Sequence, residues 1–202
     1  MSSFKKEKKV VPFKVNNGLP QDLFSRLQDM ARQYEWDSVY PMQTSQIVVG
    51  HWVRLKCQYG CKHYNSNWCC PPATPGPEEV RNILQDYTIS LMLVGTQQSH
   101  HFYKNKKQKR ARQVRYWKDT VSLERFLFLE GYYKAFSLIS GPCALCKECA
   151  YPKDCHFPKE RRPSPEAFSI DVIKTLQNLG LTTPIAMDSK DMFYHYAMIL
   201  IE

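Results

Sequence analysis

The stretch Gly141-Pro142-Cys143-Ala144-Leu145-Cys146-Lys147-Glu148-Cys149, with Cys155 shortly beyond it, decides how this chain is read. Three cysteines at intervals of three place three thiolates on one tightly wound loop, the arrangement a cuboidal iron–sulfur cluster needs. A structural zinc usually takes its ligands as two separated pairs, because a tetrahedral ion meets only two thiolates from one short knuckle. Iron–sulfur is therefore favoured over zinc. Gly141-Pro142 before the group, and Tyr151-Pro152 and Pro158 after it, interrupt any helix and let backbone amides turn towards sulfur.

Working outward, all eight cysteines fall into two groups. The other group is Cys57-Gln58-Tyr59-Gly60-Cys61 with Cys69-Cys70-Pro71-Pro72. Thiols at such short spacings in a reducing compartment are more often metal ligands than disulfides, so two metal centres are implied. Neighbouring side chains in an extended segment point in opposite directions, which argues against Cys69 and Cys70 serving the same cube and for one of them being spare. If Cys70 is the ligand, the first centre has three thiolates, Cys57, Cys61 and Cys70, and one iron with an open position for substrate. If Cys69 is also a ligand, eight thiols fill two closed electron-transfer centres. A third arrangement has Cys155 ligating the other cluster, as in two-cluster ferredoxins.

The rest of the chain frames these groups. Its 202 residues, 43% hydrophobic and 13% aromatic, suit one domain with a real core. No apolar run reaches the ~18 residues of a membrane span, and the charged start MSSFKKEKKV lacks a secretory h-region, so a cytoplasmic protein is expected. Residues 1–19 read as a basic flexible arm and 20–202 as the single metal-binding domain. Periodicity predicts helices over 20–34 and 77–86, a long helix over 108–139, and a helix over 165–179 capped by Ser164 and stopped by Gly180. Strands are expected over 46–56, delivering Cys57 at its end, over the apolar run 87–95, and over 192–201. The class is α+β: a small mixed sheet of about three to five strands with a long helix on one face, and both cysteine loops at one end.

Charge offers two further readings. The net charge of +9 attracts an anionic partner or substrate, although two four-thiolate clusters would offset part of it. Arg161 and Arg162, next to the second group, could hold an anionic substrate or hydrogen-bond cluster sulfurs, with Ser164 nearby; a solvated loop with an ordinary cap is the plainer alternative. The basic stretch 104–118 could bind RNA phosphates, making a zinc-stabilised RNA-binding module the alternative function. Val114 and Trp117 at helical spacing instead suggest a core face with solvated lysines opposite. His63 and His156, in the cysteine loops, are better placed beside the ligands than among them.

The motifs Cys57-x3-Cys61, Cys70-Pro71-Pro72, Glu124 through Phe128 into Gly131–Phe136, Gly141-Pro142-Cys143-x2-Cys146-Lys147-Glu148-Cys149-Ala150, and Arg162-Pro163-Ser164-Pro165-Glu166 with Ile170-Asp171-Val172 resemble a family of small prokaryotic proteins described as predicted metal-binding, a domain of unknown function. The resemblance covers about residues 20–202. It implies cysteine-bound metal, most plausibly iron–sulfur, at Cys57, Cys61, Cys70, Cys143, Cys146, Cys149 and Cys155. The family pattern has a single cysteine before Pro-Pro, so Cys69 is an additional candidate. The expected protein carries two 4Fe–4S clusters and relays electrons to a redox partner protein, or acts as an iron–sulfur-dependent redox enzyme or lyase on a small anionic substrate.

Overall fold

The computed structural model describes residues 18–98, 106–183 and 191–202. Residues 1–17 of the expected basic arm over 1–19, and 99–105 of the polar stretch 97–105, lie outside them. The elements run α1 (Gln21–Gln33), β1 (Ser38–Gln43), α2 (His51–Gly60), α3 (Pro77–Leu84), β2 (Ile89–Gln98), α4 (Lys106–Leu129), β3 (Phe136–Leu138), α5 (Val172–Asn178) and β4 (Met192–Leu200). The four strands form one sheet in the order β1-β2-β4-β3. Among the described residues every pairing is antiparallel, so the expectation of a mixed sheet is corrected while the α+β class holds.

Alternation along the strands divides the core into two faces. Leu91 and Leu93 of β2, with Ala197 and Ile199 of β4, point to one side and pack against Leu27 and Ala31 of α1 and Leu123 and Leu127 of α4. Met92 of β2, with Met198 and Leu200 of β4, points to the other side and meets Val80 of α3 and Val172 and Leu176 of α5. The sheet is thus buried on both faces, which explains why β2 reads as a continuous apolar run rather than an alternating one.

Several elements differ from the sequence reading. Residues 46–56 do not form a strand; α2 begins at His51 and continues through Cys57. The strand before it is β1, with Pro41 near its middle opposite Leu91. The long helix ends at Leu129 rather than near 139, because Gly131 takes a left-handed φ of 104° and the chain returns as β3. The helix expected over 165–179 is split. Ser164 Oγ accepts from the Ala167 amide at 3.1 Å and caps only a short 3-10 turn, Glu166–Phe168. Ser169 then takes φ 59°, the Asp171 amide donates to the Val48 carbonyl at 2.7 Å, and the Asp171 side chain caps α5. Gly180, at φ 70°, ends that helix as expected.

Candidate metal centre

The first thiol group is built on α2. Cys57 lies inside the helix and Cys61 ends it, with the Cys61 amide donating to the Cys57 carbonyl at 3.3 Å. Four positions make about one helical turn, so the three-residue spacing puts both thiols on the same side. Arg54, one turn ahead of Cys57, donates to the Thr74 hydroxyl at 3.3 Å and to the Pro75 carbonyl at 3.1 Å. Thr74 in turn donates to the Ala167 carbonyl at 2.8 Å. These bonds hold the loop after α2 against the helix, and Cys70 comes within electrostatic range of both Cys61 and Cys57.

Burial pushes the Cys70 thiol up to about 11. Cys57 is also raised, by burial first and then by Cys61 and Glu166. Buried thiols of this kind ionise when a cation arrives to offset the charge, so the donor set suits a thiophilic metal.

The adjacent cysteines face different ways. Buried Asn67 accepts from the Cys69 amide through Oδ1 at 2.9 Å, and its backbone carbonyl accepts from the Cys70 amide at 3.3 Å. While Cys70 looks towards Cys57 and Cys61, Cys69 packs with Trp117, Ile139 and Leu145, against which Cys143 also lies. Cys69 and Cys143 thus share one buried cluster, and this closeness raises Cys69 and lowers Cys143, with the Leu145 amide adding to the lowering. Cys146 is raised by desolvation, then by Cys143, Cys149 and Cys155. The Phe157 amide donates to Cys155 Sγ at 3.4 Å.

The second loop has almost no regular structure of its own, and α4 supplies its support. Arg110 donates to the Leu145 carbonyl at 2.9 Å, Gln113 to the Pro142 carbonyl at 2.7 Å, and the fully buried Trp117 indole to the Glu160 carbonyl at 2.8 Å. The two cysteine segments also brace each other. Trp68 donates to the Lys153 carbonyl at 2.8 Å and meets Tyr151 edge-to-face at 5.0 Å, while Tyr151 donates to Asn65 at 3.1 Å. Segments some 80 positions apart in sequence are therefore joined directly.

The remaining expected site residues have clear placements. Arg162 forms a buried two-pronged ion pair with Glu124, at 2.8 and 2.5 Å, and stacks over Phe136. The same carboxylate accepts from the Ser137 amide and hydroxyl at 2.8 and 2.6 Å. Glu124 stands in the last third of α4 between the buried Leu123 and Leu127, a signal that it has a buried partner. Arg161 lies over the Trp68 ring at 5.2 Å, next to the contact between the two loops. Of the basic stretch 104–118, Arg115 pairs with Glu35 and Asp119, and Trp117 faces inward. His63 is lowered by desolvation and then by Lys62.

Among the described residues, no three His, Cys, Asp or Glu side chains stand together as a group that could hold a metal ion. The thiols gather on two sides of the Cys69-Cys70 peptide without closing to ligand geometry on either. No helix among the described residues is long and apolar enough to cross a membrane. Neither the curated proteins nor the solved structures give a match to this chain. A family model described as predicted metal-binding protein (DUF2284) matches residues 40–201, and the chain belongs to that family.

Proposed function

We propose that the protein binds two 4Fe–4S clusters and acts in redox catalysis or electron transfer. The observation that carries this reading is the approach of Cys70 to the one-turn pair Cys57 and Cys61, beside a separate group built from Cys143, Cys146, Cys149 and Cys155. Clusters held by cysteine exchange single electrons, and an iron without a protein thiolate offers a position for substrate. Cys57, Cys61 and Cys70 would hold the centre with that open position, and the second group would hold the centre that feeds it.

The chain's own contributions are positional. Arg54 and Thr74 fix the loop bearing Cys70, and Arg110, Gln113 and Trp117 fix the loop bearing Cys143 and Cys146. Arg162 is committed to Glu124, so an anionic substrate would find its charge elsewhere, and exposed Lys56 and Lys62 lie beside the first group. Free cysteines in this number suit a reducing, cytoplasmic setting.

The test is anaerobic purification followed by iron and sulfide analysis. Brown protein absorbing near ~400 nm with about eight irons per chain supports the reading. Colourless protein holding two zincs, or no stoichiometric metal, overturns it.

A further inference from the structure

The adjacent pair Cys69-Cys70 lies where the two thiol groups meet, and its two side chains part company. Cys70 stays out of the apolar cluster that holds Cys69, and its thiol lies within electrostatic range of Cys61 and Cys57 ahead of Cys143. Cys69, only 4% exposed, packs into the cluster of Trp117, Ile139 and Leu145, against which Cys143 also packs. Neighbouring side chains on non-helical backbone diverge in this way, and the two bonds to Asn67 hold the divergence in place. Five thiols, Cys69, Cys143, Cys146, Cys149 and Cys155, then fall on the second side, one more than the four a cube takes. Of these five, Cys149 is the one exposed to solvent.

We propose that Cys69 and Cys70 are ligands of different centres, Cys70 of the first and Cys69 of the second, with Cys149 left over. This rests on the two-cluster reading and changes its second ligand set to Cys69, Cys143, Cys146 and Cys155. One peptide unit, ~3.8 Å between consecutive α-carbons, then links the two centres. The centres are held as immediate neighbours by covalent structure as well as by packing. Clusters held by Cys69 and Cys70 would exchange single electrons along the shortest ligand-to-ligand path the chain can provide.

The experiment uses the full chain purified anaerobically, in wild-type, Cys69→Ser and Cys149→Ser forms, with iron and sulfide counts and electron paramagnetic resonance of the reduced protein. The expected result is two coupled signals in the wild type, loss of about four irons in Cys69→Ser, and full iron in Cys149→Ser. The proposal is overturned if Cys69→Ser keeps both centres with an unchanged spectrum while Cys149→Ser loses one. Wild-type protein with two centres whose reduced spins show no mutual splitting or broadening also overturns it, without recourse to a variant that might misfold. A wild type lacking iron altogether fails the two-cluster reading itself, a separate and recognisable result.

Discussion

The two thiol-rich regions reach comparable ends by different means. In the first, regular structure does the positioning: a helical turn fixes Cys57 against Cys61, and Arg54 on the same helix ties down the loop that brings Cys70. In the second, residues 141–165 contain no helix or strand, and the backbone carbonyls of Pro142, Leu145 and Glu160 are held by side chains of α4. A helix carries its own hydrogen bonds, whereas a loop depends on partners brought from elsewhere in the chain. The first region should therefore keep its shape without metal, and the second should depend on α4 and on whatever the cysteines bind.

The sharpest way to break this contrast is Trp117→Ala. Removing a fully buried indole that also holds the Glu160 carbonyl should cost about 3–5 kcal/mol. Hydrogen exchange should rise far more over 141–162 than over α2; equal loss in both regions would refute the asymmetry. Next, Arg162→Ala leaves Glu124 buried without its cation, at a cost of about 3–5 kcal/mol by denaturant unfolding. Glu124→Gln with Arg162→Met should recover much of that loss, since the cost lies in the orphaned charge.

An acid titration separates both regions from the sheet that carries them. His195 on β4 is buried between Trp36 and Tyr116, with ring centroids at 5.1 and 4.8 Å and no hydrogen-bond partner on either nitrogen among the described residues. Desolvation lowers it to about 4, partly countered by Asp37. The unfolded chain binds this proton near 6.5 and the folded chain only near 4, so stability is level above 6.5, falls as the pH drops through that window, and levels off below it. The loss should total roughly 3 kcal/mol. It should disappear in His195→Leu. Smaller still, Arg54→Ala should cost about 1–2 kcal/mol and loosen the loop bearing Cys70. Arg161→Ala should cost about 1 kcal/mol or less by removing its stacking on Trp68.

Much of this architecture was legible from the sequence, and the misreadings have physical causes. Helices α1 and α3, the buried β2 and the final β4 follow from periodicity and stop signals. The segment 46–56 misled because its β-branched and aromatic residues mimic a strand. In α2 only Val53 is buried, while Trp52, Leu55 and Tyr59 are exposed, so no inward stripe announces the helix. Placing Cys57 on a helix makes sense of a cysteine spacing that is unfamiliar on a strand. The sequence reading passed over β1, a strand at the margin of the sheet; the Thr44 amide donates to the Thr88 carbonyl, so alternation turns the Pro41 nitrogen away from β2. The opposed directions of Cys69 and Cys70 were readable; their partners were not, since the contact with Cys143 spans 74 positions.

The position of Pro41 has a further consequence for the molecule among its own copies. With a proline near the middle of one outer strand, and the opposite outer strand, β3, only three residues long, neither border of the sheet offers a long row of donors and acceptors to an incoming chain. Strand-by-strand accretion into fibres is thereby discouraged at both borders.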